Sequence, residues 1–450
     1  MTTGNASGWP SENDERPLDA EYDTRAAIER RGANMLKRRA KRRAQRGLRW
    51  ALAAIGWLTR TPASDGPELR AGNPAIRRIL VVRVDLIGDV VLSLPAVRVL
   101  RRAYPDARID MLVLRSSAPI LAAEGDLVAQ VIPYDPGVWR RPGGVLKVGA
   151  WRDALALIRR LRAADYDLAV SISGDIGSIL TRLSGARRRV GYADEAYGHF
   201  LTDTLPGGRY KRHQHEARYV LDLARAAGGF IQAGDEQLAL HVLPEAETGI
   251  RRLLLEARRG RGCAGPVIAL HAGARNGQAK RWPAGHFAAL ADRLVREFDA
   301  LVVLTGGPAE EPIARLVQRQ ATAPILDLVG KTTLPELAAL LAASDLLVTG
   351  DSGPMHIACA VNTPVVALHG PTDPALSGPT DPRALVLWRR LWCAPCYDAS
   401  ATAECRFGNP VCMKSLGPDL VFAAARRQLL RRNPVAHETL EATSHALPTS

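Results

Sequence analysis

The most informative stretch of this sequence is Gly350-Asp351-Ser352-Gly353-Pro354-Met355-His356, which follows the apolar run 345–349. That run has the length and composition of a buried strand, and the glycine ends it. Ser352 then opens a helix in which Pro354 lies in the first turn, where proline is tolerated. A tight turn from strand to helix leaves N–H groups unpaired at the helix start, and these groups favour phosphate. The stretch therefore predicts an anion site to which the ring of His356 could add a donor; an ordinary turn with a core histidine is the alternative.

Short apolar runs alternate with helical patterns on both sides of this turn. In the first part of the chain the predicted strands are 79–84, 109–114, 128–134 and 168–172, and the predicted helices are 90–103, 117–124, 151–164, 176–183 and 218–227. After residue 262 the predicted strands are 267–271, 301–304, 325–329, 345–349 and 365–368, and the predicted helices are 286–298, 312–320, 334–343 and 420–430. This alternation predicts parallel sheets that are covered by helices on both faces.

Two such series predict an α/β fold with two doubly wound, Rossmann-like domains at 76–240 and 262–432, joined by a hinge near 240–262. The ligand is expected in the cleft between the domains, at the carboxyl ends of the strands. The remaining segments are an N-terminal extension, 1–75, and a flexible tail, 433–450. The glycines do not form the Gly-x-Gly-x-x-Gly pattern, so the sequence gives little support for a dinucleotide site.

The composition is that of a soluble globular protein with a strong basic excess. Of the 450 residues, 47% are hydrophobic and 24% are charged, and the formal net charge is +14. This charge favours acidic partners such as phosphates or anionic lipid, whereas an aromatic content of only 5% disfavours nucleic acid, which is commonly bound on aromatic stacking platforms. The sequence has no run of eighteen apolar residues and no signal-like N-terminus, so we expect a cytoplasmic protein.

Much of the basic charge lies in the N-terminal extension. Residues 1–29 are polar and acidic and are expected to be disordered, whereas residues 30–60 contain eleven Lys or Arg and no acid. The adjoining apolar part, which includes Trp50 and Trp57, would span only about 14 Å as a helix. A basic segment beside a short apolar helix predicts attachment to an anionic membrane surface. A solvated helix whose apolar end packs on the domain, or a nucleic-acid contact, are the alternatives.

Four of the six cysteines lie close together in the sequence, at Cys393, Cys396, Cys405 and Cys412. In a cytosolic chain such a group could hold zinc. The spacing beyond the first pair is not that of a standard zinc finger, which favours packed or redox-sensitive thiols.

The first strand leads directly into a glycine and a carboxylate, Gly88 and Asp89, at the start of a helix. An Asp in this position is usually a helix cap, but it lies where α/β proteins present functional side chains. Such a carboxylate can also accept a proton from a substrate. Asp89 is therefore the candidate general base.

The second series carries cations and a carboxylate near its strand ends. His271 ends the first strand, and Lys280 and Arg281 follow on a polar loop. Two cations facing the cleft would neutralise a diphosphate, although solvated loop cations are the alternative. Glu310 follows a glycine turn and suits a ribose diol, or supplies only a charge at a helix N-terminus.

Together these motifs resemble glycosyltransferase family 9, the heptosyltransferase-like enzymes of bacterial lipopolysaccharide synthesis. The matching segments are 87–96, 271–274, 280–283, 306–310, 351–356 and 370–374. The likeness runs from about residue 77 to 430 and includes the cysteine group. The resemblance implies a GT-B architecture, inverting transfer of a sugar from a nucleotide diphosphate, and no metal or other cofactor.

The resemblance also implies a role for each matching residue. Asp89 would be the general base, Lys280 would hold the donor phosphates, and Glu310 would bind the ribose. The diphosphate would be bound by Ser352, Gly353 and His356, and the donor sugar by Asp351. Further donor contacts would come from His271, Arg281 and Met355.

The implied donor is a nucleotide-diphosphate sugar, with ADP-heptose favoured, and the implied acceptor is a lipid-linked glycan at the inner face of the cytoplasmic membrane. Residues 85–87 and 168–174, both on the acceptor side, differ from the residues common in the family. A donor other than ADP-heptose, a nucleotide-sugar epimerase, and a non-catalytic nucleotide-sugar or glycan-binding protein are the alternatives.

Overall fold

The computed structural model describes residues 66–140, 146–195, 197–208, 214–274, 277–397, 404–405 and 407–432. The expectations for the basic segment 30–60, for the rest of residues 1–65 and for the tail from 433 lie outside these ranges. In the part of the chain that the structure describes, no helix combines the length and apolarity needed to cross a bilayer.

The first half of the described chain forms a six-stranded parallel sheet with the strand order β3-β2-β1-β4-β5-β6. Its central strands are continuous apolar runs because both faces of the sheet are covered. The strands are β1 Arg78–Arg83, β2 Arg108–Leu114, β3 Gln130–Tyr134, β4 Leu168–Ser171, β5 Arg188–Tyr192 and β6 Asp203–Leu205.

The helices of this half are α1 Ile87–Val91, α2 Leu94–Ala103, α3 Val148–Ala163, α4 Gly174–Ser184 and α5 Glu216–Ala226. The prediction of a single helix over 90–103 was wrong. The chain forms α1, ends it, and begins α2 with Pro95 in its first turn. The helix expected over 117–124 is only a 3-10 turn, Ala118–Leu121.

The second half repeats the topology of the first. Its sheet has the order β12-β11-β10-β7-β8-β9, again with parallel pairing. The strands are β7 Val267–His271, β8 Leu301–Thr305, β9 Leu326–Asp327, β10 Leu346–Gly350, β11 Val365–His369 and β12 Leu385–Trp388. Two doubly wound parallel sheets confirm the predicted fold class.

The helices of the second half are α6 Pro244–Arg261, α7 Ala284–Phe298, α8 Glu311–Gln320, α9 Leu334–Ala342, α10 Gly353–Ala360, α11 Pro374–Ser377, α12 Val411–Lys414 and α13 Pro418–Arg432. The hinge expected near 240–262 is occupied by α6. The helix packs Ala246, Ile250 and Leu254 in the same apolar cluster as residues of β7 and β8 and ends at Gly262, which adopts a left-handed conformation.

In both sheets the strand order reverses direction beside the first strand, between β1 and β4 and between β7 and β10. Ligands of open α/β sheets bind at such switch points, outside the carboxyl ends of the strands. The segments that leave β1 and β10 at these points form α1 and α10, which pack on each other. One apolar core continues through this contact, with Val90 and Leu94 on one side and Met355 and Ile357 on the other.

Candidate active site

The turn at residues 350–356 has the predicted form. β10 ends at Gly350, and α10 begins at Gly353 with Pro354 in its first turn. The hydroxyl of Ser352 lies 2.8 Å from the hydroxyl of Thr349 and does not cap the helix. Because the side chain of the capping residue is turned away, the first N–H groups of α10 can be offered to an anion.

Lys280 and Asp351 meet beside this turn. The Lys280 Nζ donates to Asp351 Oδ2 at 2.8 Å, and both side chains are nearly buried. The same ammonium lies 4.0 Å from the centre of the Tyr397 ring. Burial opposes ionisation of Asp351, but Lys280, His369 and His356 together lower the pKa of its carboxyl below the usual value. Asp351 is therefore ionised at neutral pH and forms a salt bridge with Lys280.

His356 is buried on the side of α10 that faces the first half. Its Nδ1 is buried and has no hydrogen-bond partner among the described residues. Burial, together with nearby histidines and despite nearby carboxylates, lowers the pKa of His356 to about 4. The imidazole is therefore neutral at physiological pH and can donate one hydrogen bond without carrying charge.

Two glycines allow α1 and α10 to approach each other. A Cβ on Gly88 would lie 2.8 Å from Cδ2 of His356 and 3.1 Å from the Cα of Gly353. A Cβ on Gly353 would clash with Cγ2 of Ile87 and lie 3.2 Å from the nitrogen of Gly88. The candidate anion site and the helix carrying the candidate base are therefore in van der Waals contact.

Asp89 lies on α1 with its side chain partly exposed. Its Oδ1 accepts a hydrogen bond from Arg83 Nη2 at 3.2 Å, and its backbone carbonyl accepts from Arg83 Nε at 3.1 Å and from the Ser93 hydroxyl at 2.7 Å. Its carboxylate does not cap α1, whose N-cap residue is Leu86. A partly exposed carboxylate that does not cap its own helix can serve as a base.

Glu310 and His271 lie together at the ends of β8 and β7, on the side of β7 away from β10. The Glu310 Oε2 accepts from the nitrogen of Gly307 at 2.7 Å, and His271 Nδ1 lies 3.2 Å from the Thr305 hydroxyl. A Cβ on Gly273 would clash with Cγ of Glu310 and lie 3.1 Å from His271 Nε2. Burial lowers the pKa of His271, although Glu310 opposes the shift.

The two other candidate donor contacts differ in accessibility. Met355 is completely buried in the core between the two halves, so its side chain is covered in this structure. Arg281 directly follows Lys280 and is half-buried.

His369 received no role from the sequence, although it ends β11 beside the candidate site. It is fully buried, its Nδ1 lies 3.2 Å from the Thr372 hydroxyl, and its Nε2 has no partner among the described residues. Burial lowers its pKa, and Asp351 opposes this shift. The signal that could have revealed it is topological, because β11 pairs with β10 and the ends of neighbouring strands share an edge.

The cysteine group packs against the loop that follows β11. A Cβ on Gly370 would lie 2.9 Å from Cys412 Sγ, and the nitrogen of Cys396 donates to the Pro371 carbonyl at 2.9 Å. Burial, followed by the effect of Cys396, Cys405 and Cys393, raises the pKa of Cys412 to about 12. Among the residues that the structure describes, no group of His, Cys, Asp or Glu is arranged to hold a metal ion.

Comparison with known proteins agrees with this geometry. The family model "Glycosyltransferase family 9 (heptosyltransferase)" matches residues 154–406. Lipopolysaccharide heptosyltransferase 3 of Escherichia coli is 30% identical over 300 residues, which cover 64% of this chain and 81% of that protein. Lipopolysaccharide heptosyltransferase 2 of Escherichia coli K12 is 30% identical over 321 residues, which cover 69% of this chain and 87% of that protein.

Among solved structures, that of the Escherichia coli ADP-heptose lipopolysaccharide heptosyltransferase II superposes with a TM-score of 0.60 at 25% identity. The match covers 79% of this chain and 99% of the other.

Proposed function

The chain belongs to glycosyltransferase family 9 and has the GT-B fold, and on that premise we propose that it transfers heptose from ADP-heptose to a lipopolysaccharide-core or other lipid-linked glycan. The two relatives above are lipopolysaccharide heptosyltransferases 3 and 2, and this chain is 30% identical to each of them. Sequence identity therefore does not choose between their acceptors. The choice of ADP-heptose is supported by the donor named for the structural neighbour. We assign the donor side to 262–432 and the acceptor side to 76–240.

The observation that carries the proposal is the contact between α1 and α10. It places a partly exposed carboxylate, Asp89, on the helix that packs against the candidate anion site. An inverting glycosyl transfer needs a base on the acceptor hydroxyl and positive charge at the departing diphosphate. The start of α10 and the ammonium of Lys280 supply that charge from the opposite side of the contact.

In the proposed reaction, Asp89 accepts the proton of the acceptor hydroxyl as its oxygen attacks the anomeric carbon. A bond forms between these two atoms while the bond from the anomeric carbon to the diphosphate oxygen breaks, and ADP leaves with the electron pair. Attack opposite the leaving group inverts the anomeric centre. The α10 N–H groups, the neutral His356 and Lys280 stabilise the diphosphate, so the transfer proceeds without a metal.

The other donor contacts follow from where the strands end. Glu310 accepts from the ribose hydroxyls, and His271 lies beside it at the end of β7. Asp351 holds Lys280 and contacts the donor sugar. Ser352 and Gly353 bind the diphosphate through the backbone at the start of α10.

The test is a thermal-shift series on the full chain with ADP, UDP, GDP and CDP and with their nucleotide sugars, including ADP-heptose. We expect ADP and ADP-heptose to stabilise the protein and Lys280→Ala to abolish the shift. A preference for UDP or GDP would keep the family assignment and replace the donor. No response to any nucleotide would favour a binding protein without transferase activity.

The role of Asp89 is tested separately by Asp89→Asn. Amide replacement removes the proton acceptor and keeps the shape. ADP release from ADP-heptose, with a lipopolysaccharide-core acceptor that the wild-type protein uses, should therefore be abolished while the thermal shift by ADP is retained. Equal loss of both would contradict the assignment of a base. Full activity in EDTA is expected, and a requirement for a divalent cation would contradict the metal-free reaction.

We also propose that the protein works at the inner face of the cytoplasmic membrane, bound to its anionic lipids through residues 30–60. A lipid-linked acceptor and the charge of that segment support this location. On the described surface, helix α3 adds exposed Val148, Trp151 and Leu155 next to basic residues such as Arg152. Apolar and basic side chains on one exposed helix suit a lipid headgroup layer.

Flotation with vesicles measures this attachment. Binding to vesicles containing phosphatidylglycerol should fall with added salt and be lost on deletion of residues 1–60. Unchanged binding of the truncated protein would assign attachment to another surface, with Trp151→Glu as the variant to examine next.

A further inference from the structure

Arg83 is a completely buried arginine that the proposed reaction does not use. It is the last residue of β1, and its side chain has no exposed surface. Its Nη2 donates to Asp89 Oδ1 at 3.2 Å and to Glu216 Oε1 at 2.7 Å. Its Nε donates to the backbone carbonyl of Asp89 at 3.1 Å, and its Nη1 donates to the carbonyl of Ile172 at 3.3 Å.

This arrangement holds Asp89 at two points. The planar guanidinium presents its donors in a fixed geometry, so a carbonyl and a carboxylate bound to the same group are fixed relative to each other. Here the two acceptors are the main chain and the side chain of one residue. Arg83 therefore restricts the rotation of the Asp89 carboxylate about its own side-chain bonds.

We propose that Arg83 is a positioning residue that aims the Asp89 carboxylate at the acceptor hydroxyl, an inference that rests on the proposed role of Asp89 as the base. Catalysis by a base depends on its distance and direction from the proton that it accepts. Misplacement of such a group by about 1 Å can cost roughly 100-fold in rate. We assign a positioning role because Arg83 is completely buried and contacts both the main chain and the side chain of Asp89.

Glu216 in turn holds Arg83. It is the first residue of α5, its carboxylate is almost completely buried, and it makes the shortest described contact of the guanidinium. The preceding residue, His215, accepts from the nitrogen of Ala217 through Nδ1, so its Nε2 carries hydrogen and donates to the carbonyl of Gly378 at 3.0 Å. Gly378 belongs to the second half of the chain. Glu216, which holds Arg83, therefore directly follows a residue that is hydrogen-bonded to the other half of the chain.

The charge of the network explains why an arginine is needed. Three carboxylates surround Arg83, since Asp85 Oδ2 lies 3.5 Å from its Nε in addition to the contacts of Asp89 and Glu216. The positive guanidinium offsets the mutual repulsion of these three carboxylates. A lysine in this position would keep the charge but could not contact a carbonyl and two carboxylates with one planar group.

The test variant is Arg83→Lys, and the matched control is Arg189→Lys. Arg189 is also a buried arginine of the first sheet, and it donates to the carbonyls of Phe200 and Ala186, both at 2.7 Å, with no described contact to Asp89. Both variants lose a buried guanidinium, so they should lose similar stability. Only Arg83→Lys changes the support of Asp89.

Turnover is measured as ADP release from ADP-heptose with a lipopolysaccharide-core acceptor that the wild-type protein uses, and ADP binding by thermal shift. We expect kcat of Arg83→Lys to fall about 10- to 100-fold with ADP affinity within about twofold of wild type, while Arg189→Lys keeps its kcat.

Several outcomes would overturn the proposal. These are an unchanged kcat in folded Arg83→Lys, an equal loss in Arg189→Lys, or a loss of ADP affinity as large as the loss of kcat. If Arg83→Lys does not fold, the double variant Arg83→Met with Glu216→Met removes both buried charges and must show the same loss of kcat. Failure of the proposed function is distinguishable, because Asp89→Asn would then keep its turnover.

Discussion

Replacement of Lys280 by methionine is expected to lower stability as well as donor binding. The Lys280–Asp351 pair is 2.8 Å long, and the two side chains are only 12% and 10% exposed. Methionine matches the lysine stem in length and removes the charge, so Asp351 is left as a buried carboxylate. The loss of one partner of a buried pair typically costs about 3–5 kcal/mol.

The pH dependence gives this prediction its signature. In the wild-type protein the pKa of Asp351 lies below its usual value because Lys280 and two histidines outweigh burial, so its stabilisation is present at neutral pH and is lost as the pH falls through the folded-state pKa. Without Lys280, burial favours the protonated carboxyl. The destabilisation of Lys280→Met should therefore be largest at pH 7 and smaller at pH 5.

The assay is urea unfolding of Lys280→Met, Asp351→Asn and the double variant at pH 7 and pH 5, followed by ADP thermal shift. The double variant should recover most of the stability because no buried charge remains, but it should not recover ADP binding. The control is Lys331→Met, which breaks a 3.5 Å pair to Asp327 with side chains 58% and 29% exposed. A surface pair of this kind contributes about 0–1 kcal/mol.

The reasoning is refuted if Lys280→Met is as stable as Lys331→Met, or if the losses in Lys280→Met and Asp351→Asn simply add in the double variant. Recovery of ADP binding in the double variant would contradict a direct contact between Lys280 and the donor.

Two further predictions concern the contact between α1 and α10. Gly88→Ala should lower the free energy of unfolding in urea by about 1–3 kcal/mol and lower turnover, because its Cβ would lie 2.8 Å from the His356 ring. The control is Gly125→Ala, where nothing lies within 4 Å of the added atom. Equal stabilities of the two variants would contradict the close contact. The pKa of buried His356 is about 4, below the usual value of 6.5, so as the pH falls the unfolded chain is protonated at this residue before the folded protein. The free energy of unfolding should therefore fall by about 2 kcal/mol between pH 7 and pH 5 because of this residue. His356→Gln should flatten that part of the pH–stability curve, and an unchanged curve would show that the ring is not buried in its neutral form.

Local sequence patterns predicted the central strands and the turn after β10 well, but not the edge strands β6 and β12. A parallel strand covered on both faces is a continuous apolar run, and glycine and proline mark its end and the start of the next helix. This is why Gly350, Ser352 and Pro354 could be assigned to a strand end, a helix start and a first turn without a structure.

The sequence could not indicate some features of the structure, because the information that specifies them is not local. Helix α6 buries only Ala246, Ile250 and Leu254 among many charged residues, so its sequence resembles a hinge. Arg83 appears as one charge in an apolar strand, and its partner Glu216 lies 133 positions away. No periodicity connects two such residues.

The relation between Asp89 and the candidate anion site is also non-local, and it follows from the topology of the two sheets. Helices α1 and α10 leave their sheets at equivalent switch points, each beside the strand where the order reverses. Each sheet fixes only its own helix, so the distance from Asp89 to the anion site is set where the helices touch, at Gly88 and Gly353. Any side chain there would move Asp89 away from the start of α10, and the proposed reaction needs these two groups on either side of one sugar. The glycine before the candidate base and the glycine that begins α10 therefore serve one purpose, although nothing in the spacing of 265 residues between them indicates it.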